Sequence, residues 1–304
     1  MPPSRLLVVF VATVGLALPA VAAAEHFGSP ALNAESLLVL DHEGHVIFAK
    51  NPDAERAPAS LVKLMTLYLA FEDLEAGRVD LEQPVVISHT AATTPRYRMG
   101  LRPGEDVPLR VLLEGVAIAS ANDAAVAVAE HLGGDEAAFV ARMNRKAQEL
   151  GLTNTRYANP HGLPDPNQRT NARDLALLTL RLLDDYPASR TMLGGQTFIY
   201  RGRVYARRIP LFHDPGGVQA LKTGFTNEAG YNLAVSAWRS GQQFVMIVLG
   251  ARTRALSFLD AKRLLQYAFV EAGLEAPEEQ RARAVPRKQV PVRTRRTFNA
   301  GTRG

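Results

Sequence analysis

The sequence predicts an α+β fold: an antiparallel sheet assembled from both ends of the chain, flanked by helices, with a helical block inserted between its two halves. Three observations carry this. A strand hairpin opens the ordered part, helical segments fill the middle, and further strands with one closing helix follow. The strands come as neighbours joined by tight turns, which is the antiparallel arrangement. With 304 residues and 47% hydrophobic content the chain can bury a full core, and zero cysteines mean that it does so without disulfides.

Leu37-Leu38-Val39-Leu40 reads as the first strand, Asp41-His42-Glu43-Gly44 as a turn and Val46-Ile47-Phe48 as the return. Pro58-Ala59-Ser60 opens a helix over Leu61 to Glu75, closed by Gly77. Pro103-Gly104-Glu105 is a turn before a helix from Leu109 to Ala119, and Ser120-Ala121-Asn122 breaks it. Asp123 to Leu132 and Glu136 to Leu150 are helical, ended by Gly133 and Gly151, and Thr170 or Asn171 caps a helix to Asp184. Thr197 to Tyr205 and Gln219 to Thr223 read as strands. Tyr231 to Trp238 and Phe244 to Leu249 read as a hairpin about Arg239-Ser240-Gly241-Gln242, and Ala255 to Ala272 as an amphipathic helix ended by Gly273.

Residues 1–24 have the layout of a secretory signal peptide: Arg5 in a short n-region, an apolar run from Leu6 to Leu18, and small residues up to Ala24. Cleavage after Ala24 is expected, with an uncleaved anchor as the alternative. A leader (25–34) then precedes the body (35–274), whose helical insert spans about residues 60–190. No later apolar stretch is long enough to cross a membrane, so the mature protein is expected to be soluble and periplasmic or otherwise extracytoplasmic. The formal charge of +5 is a property of the tail. Eight basic and three acidic residues between 275 and 304 give that segment +5, and the body from 25 to 274 sums to −1. A solvated, disordered tail is the expectation, with weak contact to anionic lipid or wall polymer as its alternative. Nucleic acid is not an expected partner.

Ser60-Leu61-Val62-Lys63 places a lysine three residues after a serine at a helix start, on one helical face. There the unsatisfied N–H groups of the first turn favour developing negative charge, and a lysine with a lowered pKa can act as base. Ser120 and Asn122 lie in an interhelix break, where hydroxyl and amide can point together into a cleft. Lys222-Thr223-Gly224 ends a strand: cation and hydroxyl suit a carboxylate, and the glycine leaves room along the strand edge. Each tripeptide alone has an ordinary structural reading, but the three in this order and context match a known signature of active-site serine enzymes that react with penicillin. The remaining histidines (His26, His42, His45, His89, His131, His213) form no ligand cluster in the sequence, and no metal or organic cofactor is called for.

The chain resembles the low-molecular-weight penicillin-binding proteins, the D-alanyl-D-alanine carboxypeptidase family of serine peptidases. The likeness runs from about Glu35 to Gly273. Beyond the three motifs it includes Leu101-Arg102-Pro103-Gly104-Glu105, Met143-Asn144, Asn159-Pro160-His161-Gly162-Leu163 and Phe225-Thr226. The resemblance implies the penicillin-binding protein and β-lactamase-like transpeptidase fold. It implies Ser60 as acylated nucleophile, Lys63 as base and Ser120 as proton relay. Asn122 would bind the substrate carbonyl side, and Lys222, Thr223 and Gly224 its terminal region. The backbone N–H groups of Ser60 and Phe225 would form the oxyanion hole. His161 is either a cleft histidine or a structural one, and the family's carboxylate-binding arginine is expected at Arg208. Phe225 departs from the histidine frequent at that position, which removes a side-chain donor.

The implied substrate is a peptidoglycan stem peptide, with β-lactams as covalent inhibitors. DD-endopeptidase action is the nearest rival, because the chain shows neither a second β-rich domain nor a C-terminal amphipathic anchor. A β-lactamase and an inactive wall-binding module are the more distant alternatives.

Overall fold

A computed structural model of the chain describes residues 30–213 and 217–275. The expected signal peptide, the first half of the leader and the basic tail beyond Glu275 lie outside the described residues.

Strands β1 (Ser36–Asp41) and β2 (Val46–Lys50) form the expected opening hairpin. A 3-10 turn at Ala59–Val62 then runs into helix α1 (Lys63–Glu75). The inserted block follows: β3 (Pro84–Val86), α2 (His89–Thr93), β4 (Asp106–Pro108), α3 (Leu109–Glu114), α4 (Asn122–Gly133), α5 (Glu136–Glu149), α6 (Ala172–Asp185) and α7 (Ala188–Gly194). A small hairpin, β5 (Thr197–Tyr200) and β6 (Arg203–Ala206), leads to β7 (Val218–Thr226), β8 (Gly230–Arg239), β9 (Gln242–Ala251) and helix α8 (Arg254–Glu271). The main sheet has the order β2-β1-β9-β8-β7 with every pair antiparallel, so the two chain ends meet at β1 and β9 and β7 is left as an edge.

Both faces of this sheet are covered. Leu38, Val245 and Ile247 join the core shared with α1 and α6, while their neighbours Leu37, Val39, Phe244 and Met246 join the core against α8. Double burial explains why β1 and β9 read as unbroken apolar runs. Residues such as Leu64, Leu67 and Leu69 bury α1 on several sides at once, and each such side chain contributes about 1.5–3 kcal/mol relative to exposure. Caps fix the helix starts: Asn171 Oδ1 accepts from the Asp174 amide (2.8 Å), and Thr253 Oγ1 from that of Leu256 (3.1 Å).

Three local expectations need correction. The segment 197–205, expected as one strand, is the β5–β6 hairpin, because Arg201 and Gly202 take φ of 51° and 70° and turn the chain back. The helix expected to Ala119 ends at Glu114 and continues as a π turn over Gly115–Ala119. The helices α2 and α7 and the two-stranded β3–β4 ladder have no strong periodicity and were not expected from the sequence.

Asp260 on α8 ties the start of the fold to its end. Its carboxylate, fully buried, accepts from the Asn33 and Ala34 amides (2.8 and 2.7 Å) and from Asn33 Nδ2 (2.9 Å). Asp260→Ala leaves three donors without partners and is expected to lower unfolding stability by about 2–4 kcal/mol. Urea denaturation checks this; a midpoint equal to that of the unaltered protein would contradict it.

Candidate active site

The turn bearing Ser60 is held from three sides. On β8, Asn232 Nδ2 donates to the carbonyls of Ala57 (3.1 Å) and Pro58 (3.2 Å), while its Oδ1 accepts from the Gly250 amide (2.9 Å). Ala59 takes a left-handed φ of 50°, and Gly162 (φ 88°) packs into the notch so formed; a Cβ on Gly162 would stand 2.0 Å from the Ala59 carbonyl oxygen. From the edge strand β7, Gly224 approaches so closely that a Cβ there would lie 3.1 Å from the Ser60 amide nitrogen.

Lys63, one helical turn on, is fully buried and reaches three acceptors: Ser60 Oγ at 3.3 Å, Asn122 Oδ1 at 2.7 Å and the His161 carbonyl. Burial pulls its amine down to about 7, only partly opposed by the Asp123 carboxylate. Near neutral pH Lys63 is therefore partly unprotonated and able to take the Ser60 proton. Asn122 is itself buried, and its Nδ2 donates to the Pro95 carbonyl (3.0 Å), so both ends of the amide are engaged in positioning Lys63.

Ser120 follows the π turn in a left-handed conformation (φ 56°, ψ 33°), and Lys222 donates to its Oγ at 2.8 Å and to the Thr223 carbonyl at 2.9 Å. Burial, then the neighbouring Lys63 and Arg207 cations, hold the Lys222 amine well below the ordinary lysine range. Two hydroxyl–amine pairs, Ser60–Lys63 and Ser120–Lys222, thus converge from distant stretches of chain. A cavity of about 330 Å³ opens over them, and Ser60, Ser120, Thr223, Gly224, Phe225, Tyr97, Tyr231, Arg254 and Phe258 are among its lining. The Phe225 and Tyr231 rings lie 4.3 Å apart and form part of its wall.

Of the remaining expected residues, His161 is buried with its Nδ1 accepting from the Leu163 amide (3.1 Å), which puts the proton of the neutral ring on Nε2. Burial, then the Lys63 charge, lower its imidazole to about 3, so the 3.9 Å approach to Glu136 is a contact of a neutral ring and not an ion pair. The residue serves the site through its carbonyl. Arg208 is exposed, does not line the cavity, and offers only its carbonyl, to Arg254 (2.9 Å). The arginine drawn in beside Lys222 is the half-buried Arg207, whose guanidinium donates to the carbonyls of Gly195, Ala117, Leu221 and Leu193. Burial pulls Arg207 down to about 10, which still leaves it charged at neutral pH. The preference for Arg208 thus falls one residue away from the position that is drawn in.

The structure adds residues that the sequence reading did not single out. Asp123 accepts from the amides of Met99 (3.0 Å), Gly100 (2.9 Å) and Leu101 (3.2 Å) and so shapes the loop that carries Tyr97. Asn232, Tyr97 and Arg254 had no sequence signal, because each acts from an element whose place beside Ser60 is decided by the sheet. At the β1–β2 turn, Asp41, Glu43 and His45 bring ligand-type atoms within 4.8 Å of one another. Asp41 spends Oδ1 on the Glu43 and His45 amides (2.9 and 2.8 Å), which is turn chemistry.

Among known proteins, the model of the D-alanyl-D-alanine carboxypeptidase family matches residues 22–253. The chain is 34% identical over 264 residues to the D-alanyl-D-alanine carboxypeptidase DacA of Haemophilus influenzae, covering 82% of this chain and 67% of that protein. It is 35% identical over 258 residues to DacC of Escherichia coli, covering 82% of this chain and 64% of that protein. It therefore spans about two thirds of the length of these relatives. A D-alanyl-D-alanine endopeptidase of Pseudomonas aeruginosa is 32% identical over 242 residues, with 76% of each chain covered. The crystal structure of penicillin-binding protein 5 from Haemophilus influenzae superposes with a TM-score of 0.78 at 34% identity, covering 80% of this chain and 73% of that one. Among the described residues no helix is long and apolar enough to cross a membrane.

With Lys63 as base, acylation of Ser60 would require the unprotonated amine. Its rate with an activated ester is expected to climb with pH through about 7 and level off above, since the amine loses its proton there. A rise centred on the ordinary lysine value of 10.5 would contradict the role of burial. Gly162→Ala forces Ala59 and Ser60 to shift and is expected to slow the same reaction about 100-fold; an unaltered rate would show that the turn does not depend on that notch.

Proposed function

The chain belongs to the D-alanyl-D-alanine carboxypeptidase family of serine peptidases, and on that premise we propose that it removes the terminal D-alanine of peptidoglycan stem peptides through an acyl-enzyme on Ser60. The observation that carries the reading is the buried Lys63 amine, held by Asn122 and the His161 carbonyl at 3.3 Å from the Ser60 hydroxyl.

In this mechanism Lys63 takes the Ser60 proton as Oγ attacks the carbonyl between the two D-alanines. The tetrahedral oxyanion forms beside the Ser60 and Phe225 main-chain N–H groups. Ser120, hydrogen-bonded to Lys222 at 2.8 Å, passes a proton to the leaving amine. The C–N bond breaks, D-alanine departs, and an ester to Ser60 remains. Water, deprotonated by the same base, adds to the ester and releases the shortened peptide. A β-lactam enters as the same kind of acyl donor, but its leaving amine stays tethered, so the acyl-enzyme persists. Burial, and for Lys222 also the neighbouring Lys63 and Arg207 cations, favours the unprotonated amines, which suit proton relay better than fixed charge does.

Endopeptidase action on cross-linked stems is the second reading, favoured by the likeness to the Pseudomonas aeruginosa endopeptidase and by a polar groove that continues from the cavity past Phe225 and Tyr231. Export of the mature chain, and contact of the +5 tail with anionic lipid or wall polymer, complete the proposal and rest on the sequence.

Digestion of purified muropeptides with mass analysis tests it: monomers should lose one D-alanine, whereas conversion of dimers to monomers without that loss would establish the endopeptidase. Ser60→Ala should abolish both turnover and covalent labelling by fluorescent penicillin. Retained labelling in that variant would remove Ser60 from the mechanism.

A further inference from the structure

Six large apolar side chains are exposed among the described residues, and four of them stand on neighbouring elements at one side of the cleft. Val86 (70% exposed) is on β3, Tyr97 (59%) on the loop that follows α2, and Ile199 (67%) and Val204 (59%) on the β5–β6 hairpin. The other two, Val46 and Leu259, lie apart on β2 and α8.

Hydrogen bonds join the four into one face. Tyr205 donates to the Met99 carbonyl, Tyr200 donates to Glu105 Oε1 (2.6 Å), and Arg201 pairs with the same carboxylate. The Ile87 amide donates to the Glu105 carbonyl (2.9 Å) and the Ile87 carbonyl accepts from the Gly104 amide (2.8 Å), which sets Val86 beside the same turn. Strand alternation divides the hairpin itself. Phe198 and Tyr205, partners across the strands, turn inward and stack with ring centres 4.8 Å apart. Ile199 and Val204 are the next pair and face outward together. A short two-stranded ladder that shows an apolar pair to water invites a partner.

The same stretches are basic. Residues 96–106 and 197–208 expose six arginines, Arg96, Arg98, Arg102, Arg201, Arg203 and Arg208, while Arg207 is turned inward onto main-chain carbonyls. Glu105 and Asp106 are the only acids there, and six cations against two anions leave +4. The body from 25 to 274 sums to −1, so this face is opposite in sign to the remainder.

We infer that this face, centred on the β5–β6 hairpin, docks on an anionic lipid bilayer. Arginines around an apolar pair match its two layers: the guanidinium groups meet charged headgroups, and Ile199 and Val204 enter the boundary with the acyl chains. A second copy of the chain fits poorly, because two faces of +4 repel each other. A soluble polyanion would engage the arginines but leave the aliphatic pair in water. Docking here turns the mouth of the cleft toward the membrane, since Tyr97 lines the cavity and sits between Arg96 and Arg98. The inference concerns a surface outside the acyl transfer and stands whether or not the peptidase reading holds. It is also distinct from any contact made by the basic tail.

The chain has no cysteine, so a single introduced one reports on one place. Ile199→Cys, with Leu259→Cys as control, is labelled in the full chain with an environment-sensitive dye and mixed with vesicles. One set is phosphatidylcholine alone and the other an equal mixture with phosphatidylglycerol. The dye at 199 should shift to the blue with the anionic vesicles only, and the dye at 259 should not respond. Adding Arg102→Ala or Arg203→Ala should each raise the lipid concentration at half shift about 5-fold, as loss of one cation near a charged surface predicts. No shift at 199, or equal shifts at 199 and 259, would overturn the inference and leave any membrane binding to segments outside this face. A shift at 199 that grows with protein concentration without lipid would assign the face to a second copy. A shift with polyphosphate but not with vesicles would assign it to a soluble polyanion, and either result overturns the lipid reading.

Discussion

Everything at this site depends on an ammonium group denied both water and a counter-ion. Lys63 is fully buried among neutral acceptors, and the Asp123 carboxylate, which opposes this only in part, is spent on four backbone amides. Such a group gives up its proton more readily than in solution, and what would be a structural liability becomes a base. The surroundings serve this one condition. The Asn122 amide is locked at both ends so that its oxygen faces the amine, and the 159–163 loop presents the His161 carbonyl from the other side. Burial disfavours the charged form of Lys222 as well, helped there by the Lys63 and Arg207 cations.

The fold delivers this by bringing together pieces that sequence distance would keep apart. Ser60 and Lys63 stand where a turn becomes α1, Ser120 and Asn122 where a π turn meets α4, and Lys222 to Gly224 on the edge strand. A rigid sheet buried on both faces fixes the third piece, and the inserted helices carry the second up to it. Asn232 ties the first piece to the sheet, since its amide bonds the chain leading to Ser60 while its oxygen takes an amide at the end of β9.

Much of this was legible in the sequence. The hairpins, the long helices and their caps follow from periodicity, glycine positions and capping residues, and the three motifs mark the reacting groups by spacing and order. What was not legible is tertiary. The 197–205 segment reads as one strand because only two residues make its turn, and one of them, Arg201, has no usual turn preference. Arg207 and Arg208 are equal in sequence; only the paths of the neighbouring carbonyls decide which one is drawn in. Asn122 reads as a substrate ligand because its amide is an ideal one, and nothing in the chain reveals that Pro95 and Lys63 already occupy it. Arg254 carries no motif, and its place in the cavity follows from α8 packing against β8 and β9.

The left-handed residues around the cleft have a consequence of their own. Ala59, Arg96, Tyr97 and Ser120 all carry side chains in a basin that suits glycine, and each such residue raises the native state by about 1–3 kcal/mol. Glycine at any of them would relieve local torsion, yet it would also let the loop wander among conformers that misdirect the neighbouring groups. The chain thus gives up some thermal resilience for a pocket whose shape is set before any ligand arrives, and its most heat-tolerant relative by design need not be its fastest.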